Sequence, residues 1–185
     1  MKLIARVATA LAAVAALALL GCPPTEENGD ELPDIEELFP ADNEVGSWVE
    51  DTSTGAAGVE VARSYTETWE MVDGDADSFE DGLVAFAREY YTDGSMQLQL
   101  RVWEMKDADT CSSIYSSLVS DDPLYSANTW EDVSLGEAGR VADTGTHWWF
   151  NSRSKIFQVE AWIDSNDDPG KSAAQSFLEA VLEKI

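Results

Sequence analysis

Alternation of apolar and polar residues marks the strands of this chain. Its clearest instance is the segment 96–105, where one face of a predicted strand carries Met96, Leu98, Leu100 and Val102. The opposite face carries Gln97, Gln99, Arg101, Trp103 and Met105. Because successive side chains of a strand point to opposite sides of a sheet, this pattern predicts a strand with one face in the core.

The apolar runs pair into two predicted hairpins. The first joins residues 83–91 to residues 96–105 through Thr-Asp-Gly-Ser at 92–95, since Asp-Gly between apolar runs is a strong hairpin signal. The second joins residues 147–151 to residues 155–163 across Ser-Arg-Ser at 152–154. Its return strand divides into a core face and an outer face, with Phe157, Val159, Ala161 and Ile163 opposed to Gln158, Glu160 and Trp162.

Apolar residues at helical spacing predict two amphipathic helices that follow the hairpins. The first helix opens at Asp107, and its buried stripe is Ala108, Cys111, Ile114, Tyr115, Leu118 and Val119. The second opens at Asp168-Pro169, and its stripe is Ala174, Phe177, Leu178, Val181, Leu182 and Ile185. A shorter helix is predicted over residues 74–81, capped by Asp73 and ended by Gly82.

Two hairpins, each followed by an amphipathic helix, indicate the α+β class. The predicted architecture is an antiparallel sheet built from hairpins, with the amphipathic helices packed on one face. Short strands are also predicted near Trp48 and over residues 59–65. Residues 130–141 contain too much glycine to be assigned.

The first 22 residues have the pattern of a bacterial export signal. Lys2 and Arg6 accompany an apolar run over residues 7–20 that is too short to span a membrane permanently. The run ends in Leu-Leu-Gly-Cys, which resembles a lipobox, and there Cys22 would receive diacylglycerol before the peptide is cut at Gly21. The alternative is an ordinary secretory peptide in which Cys22 is incidental.

Cleavage would divide the chain into a signal peptide over residues 1–21, an acidic flexible tether over 22–40 and a single domain over 41–185. Removing 21 residues from 185 leaves 164, which suits one domain. The protein is then expected to be anchored in the lipid bilayer through acylated Cys22. Residue 23 is Pro, not the Asp that resembles an inner-membrane retention signal in enteric bacteria, so the outer membrane is favoured.

Near the end of the predicted tether, one short amphipathic turn is expected, formed by Leu32, Ile35, Leu38 and Phe39. The rest of that stretch is rich in Glu, Asp and Pro and has few aliphatic residues, so it cannot bury enough surface to offset the entropy of ordering.

The net charge of the chain limits the classes of partner that it can bind. The formal net charge is −25, and loss of Lys2 and Arg6 with the signal lowers it to −27. Nucleic acid and anionic headgroups are poor partners for such a domain, because both require a cationic surface. An excess of acidic residues is also typical of proteins adapted to high salt, so the charge need not describe a ligand.

The reactive residue types are sparse. With Cys22 assigned to lipid, Cys111 has no partner for an intramolecular disulfide and is expected to be a small buried hydrophobe. His147 is the sole histidine, and no Gly-x-Ser-x-Gly motif precedes a helix. The segment 165–172 lacks the first glycine of a phosphate-binding loop, and the segment 73–84 lacks the last ligand of a calcium loop.

These observations predict no catalytic residue, no metal ligand and no cofactor. A non-catalytic binding or assembly module of the cell envelope is therefore the preferred function. The alternative is a small carboxylate-dependent hydrolase, since 36 acidic residues leave room for a catalytic pair that no spacing singles out.

A candidate binding surface lies on the outer faces of the two hairpins. It combines two tryptophans with amide and charged neighbours, namely Trp103, Trp162, Arg101, Gln99, Gln158 and Glu160. Flat aromatic rings among amides suit a glycan or a protein segment of the envelope, because the ring stacks while the amides donate and accept hydrogen bonds. The alternative is that loops or a helix cover this face, since large aromatic residues are usually buried.

Several segments also resemble an uncharacterised bacterial family of exported proteins and lipoproteins. The resemblance covers the chain from Phe39 to its end and is carried by the runs 69–82, 86–91 and 100–105, together with Ser-Ile-Tyr at 113–115. The family has a Tyr-Ile-Asn-Gly-Gly-Ala-like helix start, from which this chain departs at Asp73, Asp75 and Phe79. The resemblance implies no activity, because the family's function is unknown.

Overall fold

The structure, a computed structural model, describes residues 32–55, 57–73 and 76–185. Its strands are β1 Val49–Glu50, β2 Glu60–Ala62, β3 Leu83–Thr92, β4 Gln97–Met105, β5 Trp130–Val133, β6 Ala138–Asp143, β7 Trp148–Ser154 and β8 Phe157–Ile163. Its α-helices are α1 Tyr65–Met71, α2 Ala108–Asp121, α3 Pro123–Ser126 and α4 Asp168–Leu182. Three short 3₁₀ turns cover Ile35–Leu38, Thr52–Thr54 and Asp77–Phe79.

The strands form one eight-stranded antiparallel sheet in the order β1-β3-β4-β8-β7-β6-β5, with β2 also paired to β3. The α+β class and the antiparallel sheet predicted from the sequence are therefore confirmed. The pairing of β4 with β8, from Leu98↔Ile163 to Glu104↔Phe157, joins the two predicted hairpins at the centre of the sheet.

The first hairpin forms as predicted, with β3 paired to β4 from Thr92↔Gln97 onward. The Asp93 Oδ1 atom accepts hydrogen bonds from the Ser95 and Met96 amides at 2.8 and 2.9 Å, and Gly94 has the positive φ of 89° that the turn needs. The turn of the second hairpin was misplaced by the sequence prediction. Residues 152–154 continue β7, and the chain reverses at Lys155 and Ile156, where Lys155 has a φ of 52°.

Helices cover both faces of the sheet, so the predicted single covered face is not what the structure shows. On one face, Leu98, Leu100 and Val102 of β4 belong to a core that includes Phe177 and Leu178 of α4. On the other face, Trp103 and Met105 of the same strand belong to a core that includes Cys111 and Leu118 of α2. The reason is that β4 carries large apolar residues on both faces at its C-terminal end, and each set must be buried.

The packed part of the chain begins earlier than the predicted boundary at residue 41. Leu32–Ile185 forms one compact unit, and Ile35, Leu38 and Phe39 belong to the core on the α4 side of the sheet. The amphipathic turn predicted there is the 3₁₀ turn Ile35–Leu38. The predicted signal peptide, Cys22 and most of the tether lie outside the described residues.

Side-chain caps set the helix starts. Asp107 accepts a hydrogen bond from the Thr110 amide at 2.6 Å and opens α2 as predicted. The cap of α4 is Asp167, one residue before the predicted position, and it accepts from the Gly170 amide at 2.8 Å. Where a helix was predicted over 74–81, the described residues contain the 3₁₀ turn Asp77–Phe79, and residues 74 and 75 are outside the description.

Helix α1 was not predicted, although the sequence contains its start signal. The predicted strand over residues 59–65 is only Glu60–Ala62, and the chain then turns into the helix. Ser64 accepts from the Glu67 amide, and Glu67 accepts from the Arg63 amide at 2.9 Å, close to the reciprocal pattern of a capping box. Within the described ranges, no helix has the length and apolar character required to cross a bilayer.

Candidate ligand groove

A groove of about 410 Å³ opens on the sheet face that also carries α2. Its floor is formed by side chains of β3, β4 and β8, namely Arg88, Tyr90, Gln97, Gln99, Arg101 and Trp162. Its sides are formed by the end of α1 and by two loops, through Met71, Val72, Asp73, His147 and Asp164. We call this set of residues the Trp162 groove.

The strand register explains why these residues meet. Tyr90 lies opposite Gln99, Gln99 lies opposite Trp162, and Trp162 lies opposite Trp149. A second row, two residues along each strand, runs from Arg88 through Arg101 to Glu160. Residues in directly opposed positions share one face of a sheet, so the side chains of the two rows lie next to one another on that face.

Trp162 is the aromatic platform of the groove. Its ring stacks on that of Trp149, with 5.1 Å between ring centroids and an interplanar angle of 14°. The His147 ring meets it edge-on at 5.7 Å. Trp149 is fully buried and Trp162 is partly exposed, so the buried ring fixes the orientation of the ring that lines the groove.

The polar groups of the floor hold one another in place. Gln99 Nε2 donates to the Tyr90 hydroxyl at 2.6 Å, and Arg101 Nε donates to Gln99 Oε1 at 2.9 Å. Gln97 Nε2 donates to Asp51 Oδ2 at 2.5 Å, and hydrogen bonds from Ser53 and Gln97 lower the pKa of the Asp51 carboxyl. The floor is therefore preorganised, since its side chains are oriented before any ligand arrives.

Arg88 ties the wall of the groove to its floor. Its Nε atom donates to Glu60 Oε2 on β2 at 2.7 Å, and its Nη1 atom donates to the Met71 carbonyl at the end of α1, also at 2.7 Å. At the other end of the groove, Asp164 Oδ1 accepts from the Gln97 amide at 2.6 Å. The groove thus carries both signs of charge, in a chain that is strongly acidic overall.

The structure divides the six predicted binding residues into two groups. Trp162, Arg101 and Gln99 line the Trp162 groove together. Trp103, Gln158 and Glu160 are buried, with exposed fractions of 1%, 0% and 2%. The prediction that these three residues face outward is therefore wrong, because α2, α3 and the 3₁₀ turn Asp77–Phe79 cover this part of the face.

The buried residues have partners of their own. The Trp103 ring stacks on Phe79 at 3.9 Å and meets Phe86 at 4.4 Å. Glu160 accepts hydrogen bonds from the Tyr125 hydroxyl and from Asn151 Nδ2, the latter at 2.9 Å. These contacts lie in the domain interior and belong to its packing.

Other groove residues were missed, although some could have been found from the sequence. The predicted hairpin already places Arg88 and Tyr90 on the face of Gln99 and Arg101, although its loop at 92–95 would pair Tyr90 with Gln97 where the structure pairs it with Gln99. Met71 and Asp73 required α1, whose capping box gave the only local signal. His147 and Asp164 flank β7 and β8, and only the register between those strands brings them to Trp162.

The described part of the chain contains one free cysteine and no cluster of metal-ligating side chains. Cys111 is a free, buried cysteine, and burial raises the pKa of its thiol to about 11, which fits the predicted role as a small hydrophobe. No three His, Cys, Asp or Glu side chains in the described ranges converge in a group that could hold a metal ion.

Comparison with known proteins leaves the family open. No protein-family model matches the chain, and no curated protein matches it. Among solved structures, it is similar to the extracellular domain of PknH from Mycobacterium tuberculosis, with 12% sequence identity over 82% of this chain and 93% of that chain and a TM-score of 0.38. The resemblance to an exported lipoprotein family stays a prediction.

Proposed function

We propose that this protein is an exported, lipid-anchored module of the cell envelope that binds a saccharide in the Trp162 groove without transforming it. The observation that carries the proposal is the partly exposed Trp162 ring, which is fixed by its stack on Trp149 and surrounded by preorganised amides. A pyranose has a flat apolar face for such a ring and hydroxyl groups for such amides.

The charge of the molecule supports a neutral ligand. An overall charge of −25 repels anions at long range, whereas a neutral sugar experiences no such repulsion. Within the groove, Arg88 and Arg101 stand against Asp73 and Asp164, so the local field is mixed. Because both signs of charge are present, these groups suit hydroxyls, which both donate and accept hydrogen bonds, better than they suit a single cation or anion.

The hydrolase alternative gains no support from the acids whose pKa is raised by burial. Burial raises the pKa of the Glu89 and Glu104 carboxyls, as a general acid would need. Both residues share the β3 and β4 face with Leu100 and Val102, opposite the groove. Asp73 and Asp164 do line the groove, so a catalytic carboxylate pair remains a prediction.

Replacing Trp162 by alanine is expected to weaken saccharide binding about thirtyfold, because truncating a central aromatic contact costs about 2 kcal/mol. Titration calorimetry with neutral oligomers of glucose and of N-acetylglucosamine measures the effect, with short neutral peptides as the competing ligand class. The matched control is Trp69→Ala, since Trp69 is 46% exposed on α1 and does not line the groove. Trp162→Phe, which keeps an aromatic face, should retain most of the affinity.

Two results would reject the saccharide site. One is the absence of saturable binding by any saccharide of the panel at millimolar concentration. The other is equal binding by the native chain and by the Trp162→Ala variant, provided that both are folded at the temperature of the titration. Saturable binding of a peptide alone would transfer the groove to a protein partner.

Lipid anchoring rests on the lipobox-like sequence before Cys22. We expect Cys22→Ser to move the protein from the membrane pellet to the soluble fraction when cells are fractionated. Cys111→Ala is the matched control, because Cys111 is buried and its removal leaves the anchor unchanged. Persistence of the Cys22→Ser variant in the pellet would show that another feature holds the protein there. Separation of the two membranes tests the proposed outer-membrane location.

A further inference from the structure

A buried chain of three polar groups links β3 to the segment that enters the domain. The Tyr91 hydroxyl lies within hydrogen-bond distance of the Glu89 Oε2 atom and of the Pro40 carbonyl oxygen, the latter at 2.9 Å. Glu89 is 8% exposed, and Tyr91 and Pro40 are also buried. These groups lie on the face opposite the Trp162 groove, so they are independent of the proposed ligand site.

The protonation state of Glu89 decides which hydrogen bonds these three polar groups can form. A tyrosine hydroxyl has one hydrogen, whereas an ionised Glu89 and the Pro40 carbonyl are both acceptors only. If Glu89 carries a proton, it donates to the Tyr91 oxygen, and Tyr91 donates to Pro40. If Glu89 is ionised, the Tyr91 hydrogen is drawn to the carboxylate, because a hydrogen bond to a charged acceptor is the stronger one.

We propose that Glu89, Tyr91 and Pro40 form a proton-linked latch that holds residues 32–40 against the sheet when Glu89 is protonated and loosens them when it is ionised. Loss of the Tyr91 hydrogen bond leaves a buried carbonyl without that donor, which destabilises the attached state of the segment. Residues 32–40 are the end of the predicted tether and lead directly into the rest of the domain. The latch therefore makes the junction between tether and domain sensitive to pH.

The negative charges around Glu89 also favour its protonated form. Burial raises the pKa of the Glu89 carboxyl, the Tyr91 hydroxyl opposes this, and the negative charges of Glu50 and Asp42 raise it further. Burial and the neighbouring carboxylate also raise the pKa of the Tyr91 phenol, so the phenol keeps its hydrogen. On ionisation, Glu89 adds a negative charge beside the acidic residues that follow Pro40.

Lys184 provides a holding contact that does not depend on Glu89. Its Nζ atom donates to the Phe39 carbonyl at 2.9 Å and lies 3.0 Å from Glu44 Oε1. Ile35, Leu38 and Phe39 are buried in the core as well. Ionisation of Glu89 is therefore expected to loosen the segment locally and to leave the sheet folded.

The direction of the pH effect follows from linkage. A carboxyl whose pKa is higher in the closed latch than its ordinary value of 4.5 binds its proton more tightly in that state. Its contribution to the closed latch is full below that ordinary value and is lost as pH rises through the raised pKa. For one proton, the equilibrium changes by at most about tenfold per pH unit.

Hydrogen exchange measured by mass spectrometry on the full chain tests the latch across the range from acid to mildly alkaline pH. After correction for intrinsic exchange, peptides from residues 32–40 should lose protection as pH rises, by up to about tenfold per pH unit. Peptides from the core strand β8 should not follow this change. In Glu89→Gln, the amide replaces the proton by an N–H donor, so protection should stay high and independent of pH.

Two further variants separate the latch from general effects of charge. Glu179→Gln removes an exposed carboxylate on α4 and should keep the pH dependence of the native chain. Tyr91→Phe removes the connecting hydroxyl and should leave the segment loosened at every pH. Carbon-13 titration of the Glu89 carboxyl in the native chain should have the same midpoint as the loss of protection. A pH-independent native segment, unchanged pH dependence in Glu89→Gln, or a different carboxyl midpoint would overturn the proposal.

Discussion

Trp103→Ala is expected to lower the free energy of unfolding by about 3 to 5 kcal/mol, the usual cost of truncating a fully buried tryptophan. The indole lies between Phe79 and Phe86, with ring centroids 3.9 and 4.4 Å away, and belongs to the core under α2. Its removal takes away both ring contacts and leaves a cavity. Urea unfolding followed by circular dichroism measures the change.

Trp162→Ala is the matched control for this loss. Trp162 is partly exposed and has the Trp149 stack as its main ring contact, so its truncation should cost about 1 kcal/mol. If Trp103→Ala is too unstable to purify, Trp103→Phe should show an intermediate loss. A Trp103→Ala variant as stable as the native chain would mean that this ring is not part of the packed core.

Glu160→Ala is expected to destabilise the domain by about 3 to 5 kcal/mol, because it removes one partner from a buried charged network. Tyr125 and Asn151 both donate to Glu160, and Arg101 lies directly opposite it on β4. Without the carboxylate, two buried donors lose their acceptor and the arginine loses the nearby negative charge. The measurement is again urea unfolding, with the slope of the transition monitored for constancy.

Glu160→Gln separates charge from shape in the same network. The amide oxygen can still accept from Tyr125 or Asn151, so this variant should lose clearly less stability than Glu160→Ala. The same variant also reports on the groove, since Arg101 lines its floor beside Gln99. Equal losses in the two variants would show that the hydrogen bonds to Glu160 contribute little to stability.

The elements that follow local rules could be predicted from the sequence. The Asp-Gly turn predicted the pairing of β3 with β4, although the loop lies at residues 93–96, one residue later than predicted, and Asp107 marked the residue before α2. The turn at Lys155 and Ile156 escaped prediction, because a lysine with positive φ has no turn signature comparable to that of glycine. A local rule works only where the residue itself determines the backbone conformation.

The exposure of the predicted binding face could not be predicted in the same way. Alternation correctly placed Trp103 and Arg101 on one face of β4, but it cannot say whether that face is covered. Coverage depends on α2, which returns over Trp103 and not over Trp162. Half of the predicted site is therefore a groove and half is core, divided by the packing of α2, which the alternation pattern of β4 does not encode.

The margins of the sheet offer little to a second copy of the chain that would pair with them as a further strand. In the part that the structure describes, one margin consists of β1 and β2, two and three residues long, which offer little length for a new strand. The other margin is β5, where the exposed carboxylates of Glu131 and Asp132 flank the backbone. An approaching strand of the same acidic chain would meet charge of its own sign, so this sheet resists edge-to-edge aggregation.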